Sequence, residues 1–159
     1  MLATSVVAAS PAAALTWHCK KSTKSIDTAN YSGPFKDQWD MTVRNCVARS
    51  GSYVYAKAKI SWDGPVFSDT GNSNEFSAAY YKVAIKRKTS GATVKYKKYY
   101  GIESKMEHSD NYGNGSYNTG TIKYQVGSGK ASAAGTLALD WANCCGGYKT
   151  FGFTGSSSV

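Results

Sequence analysis

Histidine is scarce in this chain of 159 residues, with His18 and His108 the only two. A serine or cysteine triad therefore has few candidates for its base. The contiguous His108-Ser109-Asp110 does not supply one, because triad geometry comes from the fold and neighbours on a strand or loop point apart. The nucleophile elbow GxSxG, the phosphate-cradling GxxxxGK[ST], a helix-opening GxGxxG and the zinc arrangement HExxH are all missing. These absences remove the signatures of common hydrolases, nucleotide-binding proteins and zinc peptidases, and they imply no cofactor. Two acids distant in sequence can still converge across a sheet for glycoside cleavage. Asp63, Asp69, Glu75 and Glu103 are available for that, so a small extracellular hydrolase remains one alternative. Acidic residues are the scarcer charge, 10 Asp plus Glu against 19 Lys plus Arg, for a net charge of +9. Such an excess draws a protein toward polyanions without choosing among nucleic acids, acidic glycans and anionic envelopes.

The opening stretch, MLATSVVAASPAAALT, has no charge and is too short to span a bilayer. Ala12-Ala13-Ala14 is the small-x-small pattern that signal peptidase accepts, so residues 1–14 read as a secretion signal. Its missing positive n-region suggests that the signal begins upstream, and its alanine richness suggests a bacterial exported protein. Residues 15–159 then suit one β-domain ending in a flexible Ser-rich tail. Export implies an oxidising compartment, and Cys19, Cys46, Cys144 and Cys145 are expected to form two disulfides. A bond between adjacent cysteines needs a strained peptide. In an extended segment Cys144 and Cys145 point to opposite faces, so each is expected to seek Cys19 or Cys46, tying the C-terminal region to the hairpins.

What the chain does have is glycine, tyrosine and two-residue alternation. WDMTVRNCVARSGSYVYAKAKISW, residues 39–62, reads as a hairpin closed by Ser50-Gly51, with Trp39/Trp62, Met41/Ile60, Val43/Ala58, Asn45/Ala56 and Val47/Val54 on a buried face. A second hairpin closed by Ser90-Gly91 places Tyr81/Tyr100, Val83/Lys98, Ile85/Tyr96 and Arg87/Val94 on one face. Its reverse carries Lys82/Tyr99, Ala84/Lys97, Lys86/Lys95 and Lys88/Thr93. A third, closed by Ser128-Gly129, pairs Val126/Ala131, Tyr124/Ala133, Ile122/Gly135 and Gly120/Leu137, small residues that should let another layer approach closely. Hairpins with one apolar side must find another sheet to cover them, so the expected fold is an all-β antiparallel sandwich of about six to eight strands, disulfide-tied, with a small β-barrel as the alternative.

The segment IESKMEHSDNYGNGSYN, residues 102–118, holds Glu103, Glu107, His108 and Asp110. Glu103 and Glu107 fall on one face of a short helical turn, which makes this the weak metal candidate, although it lacks the ligand spacing of a calcium loop. The stronger candidate surface is the Lys/Tyr ribbon: Lys82, Lys86, Lys88, Lys95, Lys97 and Tyr99. Lysines supply long-range attraction, and tyrosines stack on sugar rings or bases at small entropic cost. The expected function is that of a secreted, non-catalytic binding protein engaging an acidic polymer or cell-surface glycan. A secreted inhibitor or toxin presenting residues 68–74 to a protein partner is the second alternative. Lysine-rich strands also serve simply to prevent edge pairing, so the sequence alone leaves the ribbon's role open.

Overall fold

The structure, a computed structural model, describes residues 14–29, 38–65, 75–142 and 144–159. The signal-like residues 1–13, the turn at Gly33-Pro34 and the loop 68–74 lie outside the described residues. The elements in chain order are β1 (His18–Asp27), β2 (Gln38–Ser50), β3 (Tyr53–Asp63), β4 (Phe76–Arg87), β5 (Thr93–Tyr99), α1 (Gly101–Glu107), β6 (Asn114–Asn118), β7 (Ile122–Gln125), β8 (Ala131–Trp141) and β9 (Lys149–Phe153). They form two antiparallel sheets rather than a barrel. The first runs β1-β2-β3 with β6 and β7 both on the far edge of β3, and the second runs β5-β4-β8-β9.

The β2–β3 hairpin turns on Gly51-Ser52, not Ser50-Gly51, with Gly51 at φ 56°. A left-handed first loop residue is what a two-residue hairpin loop with glycine in that place supplies. Met41 therefore faces Trp62, Val43 faces Ile60 and Val47 faces Ala56, two residues from the expected register. An even shift leaves every side chain on its expected face, and Trp39, Met41, Val43, Val47, Val54, Ala56, Ala58, Ile60 and Trp62 are all buried. The β4–β5 hairpin is shifted by one. Tyr81 faces Tyr99, Val83 faces Lys97 and Ile85 faces Lys95, and a bulge then sets Lys86 opposite Thr93. The bulge and the longer loop closed by Arg87 and Gly91 make the offset odd, which reverses the faces of β5.

The expected third hairpin does not form. β7 pairs with β3 and β8 pairs with β4 and β9, so the chain crosses from one sheet to the other between them. Ile122, Val126, Ala131, Ala133 and Leu137 are buried as the alternation required, but they meet across the core instead of across a ladder. Thr119 interrupts the β6–β7 edge. Its N–H donates to Ala58 O, and its hydroxyl accepts from Ala58 N, standing in for a ladder carbonyl.

The two layers are fastened at both sides and in the middle. Tyr99 donates its hydroxyl to Gly120 O (2.7 Å) on the β5–β7 side, and Thr154 N–H donates to Ser22 Oγ (3.2 Å) on the β1–β9 side. Inside the core the Tyr81 hydroxyl donates to Asn45 Oδ1 (3.0 Å), and Asn45 Nδ2 donates to Thr154 O (3.0 Å). Gly135 makes room for this contact, since a Cβ there would overlap the Tyr81 hydroxyl and crowd Asn45. The Ser-rich tail is held as well: Ala131 and Val159 exchange backbone hydrogen bonds, Ser156 N–H donates to Ala133 O, and Ala133 N–H donates to Ser156 Oγ.

Gly135→Ala should destabilise the fold by roughly 1–3 kcal/mol or more through overpacking, and Tyr81→Phe by about 1–3 kcal/mol because Asn45 loses its donor. The double variant should lose clearly less than the sum, because removing the hydroxyl opens space for the new methyl. Urea denaturation of the three variants tests this, and additive losses would refute the packing account.

Candidate functional site

The sandwich gathers its described acidic residues toward one end, whereas lysines and arginines occur along its whole length. Asp37 and Asp69 fall outside the described residues, which leaves eight of the 10 acidic residues. Asp27, Asp40 and Asp63 lie at one end of the first sheet. Glu75 and Asp140 lie at the same end of the second, with Glu103, Glu107 and Asp110 on and after α1. The opposite end is formed by the β2–β3 and β4–β5 loops, the β7–β8 crossing, the start of β1 and the tail. It carries Lys20, Arg49, Arg87, Lys88 and Lys130.

The ribbon expected from the sequence is divided by the odd register. Lys82 and Lys86 stand on the outer face of β4, and Lys88 lies in the loop that follows. Lys95, Lys97 and Tyr99 alternate to the other side of β5, where Tyr99 is buried and the two lysines stay exposed at the sheet edge. Tyr99 therefore serves the core and the Gly120 contact, and burial, followed by the effect of Tyr117, pushes its hydroxyl pKa up. The outer face receives Tyr96 and Lys98 instead, opposite Ala84 and Lys82.

A tyrosine cluster occupies that outer face. Tyr80 of β4 is packed between Tyr100 (centroids 5.5 Å apart) and Tyr148 (4.9 Å, edge-on), and Lys98 Nζ sits 4.3 Å above its ring. Tilted and edge-on pairs of this kind suit the aromatic quadrupole, and the ammonium is held by the ring's negative face. Tyr100 and Tyr148, 54 and 43% exposed, present their rings to solvent over the buried Tyr80, and Tyr96, 57% exposed, lies further along the same outer face opposite Ala84. Burial, then Tyr100 and Tyr80, push the Tyr148 hydroxyl up, so it remains protonated at neutral pH. The arrangement presents hydroxyls, ring faces and ammonium groups together on one outer face.

The cysteines explain how Tyr148 reaches the cluster. Cys19 bonds Cys46 directly across β1 and β2, and Cys144 bonds Cys145, which overturns the crossed pairings expected from the sequence. The expectation assumed an extended backbone, whereas Cys145, Gly146 and Gly147 all have positive φ (67°, 46° and 86°) and form a turn. That turn leads out of β8 and delivers Tyr148 to Tyr80. The Cys19–Cys46 bond closes a separation of 27 residues, worth about 3–4 kcal/mol in the chain-entropy model. The Cys144–Cys145 bond closes no comparable loop.

The weak metal candidate is dispersed. Glu103 accepts from Ala79 N–H (2.8 Å), His108 Nδ1 contacts Ser104 O (2.8 Å), and Asp110 Oδ1 accepts from Tyr112 N–H and Asn114 N–H. Among the described residues no three His, Cys, Asp or Glu side chains converge in a metal-holding group. Trp141 is buried against Phe76. No protein-family model, curated protein or solved structure matches this chain.

Glu75 is the perturbed carboxyl of the acidic end. Burial raises its pKa above 4.5, the Thr28 hydroxyl opposes this, and Glu107 adds to it. A carboxyl raised on folding binds its proton more tightly in the folded state. Stability therefore falls as pH rises from 4.5 through the folded value and stays reduced at neutral pH. Glu75→Gln keeps the acceptor for Thr28 and should be more stable than the parent at neutral pH, with little difference below 4.5. Urea unfolding on both sides of that value checks the sign; an unchanged or reduced stability at neutral pH would contradict it.

Proposed function

We propose that this protein is a secreted, non-catalytic glycan-binding protein whose contact surface is the outer face of the second sheet. The observation that carries the reading is the row of exposed tyrosines on that face, Tyr100 and Tyr148 packed on Tyr80 and Tyr96 further along it, with Lys98 over the Tyr80 ring and Lys82 beside it. Sugar rings present C–H faces that stack on tyrosine with little ordering cost, because a tyrosine packed on its neighbour has already lost its rotamer freedom. The two lysines add attraction to carboxylate or sulfate groups, so an acidic or mixed glycan on a cell surface is the natural partner. Two disulfides suit an oxidising compartment outside the cytoplasm.

A reading by aromatic contact differs from one by charge alone in its response to salt. Stacking persists when exposed charges are screened over about 8 Å at physiological ionic strength. Tyr96→Ala with Tyr100→Ala should lower retention on a responsive glycan by roughly tenfold or more, from a stacking loss of about 1–3 kcal/mol per ring. Lys82→Ala with Lys98→Ala should chiefly flatten the salt dependence. A glycan array followed by titration of both double variants tests the proposal. Unchanged retention in the tyrosine variant, or turnover of the bound glycan, would defeat it.

A further inference from the structure

The cationic end of the sandwich contains a cleft that the sheet-face reading does not use. It is a half-open depression of about 380 Å³ between the start of β1, the β4–β5 loop, β8 and the tail, lined by Lys20, Lys88, Ser132, Ser157 and Ser158, with Cys19 and Ser156 in its walls. Its lining side chains are two ammonium groups and a series of hydroxyls. No acidic side chain is among them, and the eight described Asp and Glu residues all lie at the far end of the molecule. Hydroxyls donate and accept, whereas ammonium groups only donate, so the set matches a ligand that carries negative charge on several acceptor oxygens.

The walls are fixed before any ligand arrives. Lys20 follows Cys19, which the disulfide pins to Cys46. Lys88 donates its backbone N–H to Lys130 O (2.9 Å), which holds the loop against the β7–β8 crossing. The tail is held by Ala131 and Ala133, and Ser156 Oγ is engaged by Ala133 N–H and by Ser157 O, so it supports the wall while its neighbours line the cleft. Arg49 donates to the backbone oxygens of Gly127, Gly129 and Val159, so it braces this end of the fold. Two lysines on separate, braced segments line one polar cleft, so an anion seated in it would draw on both.

We infer that this cleft is a binding site for a tetrahedral oxyanion, the sulfate or phosphate ester group of a larger molecule, with Lys20 and Lys88 supplying charge and Ser132, Ser157 and Ser158 supplying hydroxyl contacts. The volume exceeds that of a bare ion, which leaves room for the group that carries it. Its site is separate from the tyrosine face and stands whether or not that face binds glycans.

The test is titration of the labelled full chain with phenyl phosphate and, in a separate arm, phenyl sulfate, at constant ionic strength, followed by amide chemical shifts. Saturable shifts confined to the cleft residues in either arm support the site, and the tighter arm identifies the ester. Lys20→Ala with Lys88→Ala should weaken that binding by roughly tenfold, while Lys57→Ala on the first sheet should leave it unchanged. Both lysines of the cleft are exposed, and the thermal midpoint of the double variant confirms that it folds. Non-saturable shifts spread over every lysine-bearing strand, equal weakening by Lys57→Ala, or saturable binding unaffected by the double variant would each overturn the inference.

Discussion

The hydroxyl of Tyr81, buried at the centre of the sandwich, meets Asn45 in the space that Gly135 leaves open. Around it the core is built from apolar side chains, for which many relative positions of the two sheets are nearly equivalent. A directional hydrogen bond between completely buried partners is not so tolerant, because an unmade bond there costs the full desolvation of both groups. Asn45 comes from β2, Tyr81 from β4 and the third partner, Thr154 O, from the start of the tail. The contact therefore fixes the second sheet over the first and holds the tail beside β8. The tail in turn supplies three serines to the cationic cleft, so a core contact reaches the surface through one short segment.

Much of this was legible in the sequence, and the boundary of what was legible has a simple physical form. Alternation with a period of two assigns a side chain to a face, and it did so correctly from Trp39 to Trp62 although the hairpin turns on a different pair of residues. Register depends on loop geometry, which is encoded in a few φ values that composition does not display. Where the offset is even, as around Gly51, nothing is lost; where it is odd, as beyond the bulge at Lys86, β5 presents Tyr96 and Lys98 in place of Lys97 and Tyr99. The third hairpin failed for another reason. Ile122 to Val126 and Ala131 to Leu137 carry the right pattern for a shared core, but a pattern cannot say whether two apolar faces lie side by side or one above the other.

The candidate site shows the same division. The Lys/Tyr composition of the second hairpin pointed to an exposed surface, and the short helical turn after Tyr100 was readable from Glu103 and Glu107. Tyr80 and Tyr148 were not readable as members of the cluster. Tyr80 required the register of β4 on β8, and Tyr148 required a turn of three left-handed residues that begins at a non-glycine, Cys145. The cysteine pairing was misjudged on the same ground, since the rule that neighbours point apart holds on a strand and fails on that turn.

Like charges stand side by side at several places in the first sheet, against local cost. Asp40 faces Asp63, and Lys21, Arg44 and Lys59 stand in register across three adjacent strands, like-charge neighbours that each disfavour pairing by a fraction of a kcal/mol, about 0.2–1. The distance between the ends decides what the acidic end can do. β2 alone has 13 residues, which at about 3.3 Å per residue spans roughly 40 Å, several times the screening length of about 8 Å at physiological ionic strength. The carboxylates at one end therefore cannot cancel the field of the lysines at the other, and an anion approaching the cleft meets the local cations rather than the molecule's net charge. At physiological ionic strength, attraction at the cleft is therefore set by the few cations around it and not by the total of +9, whereas low salt would lengthen the screening distance and let the rest of the molecule's charge, cationic on balance, contribute.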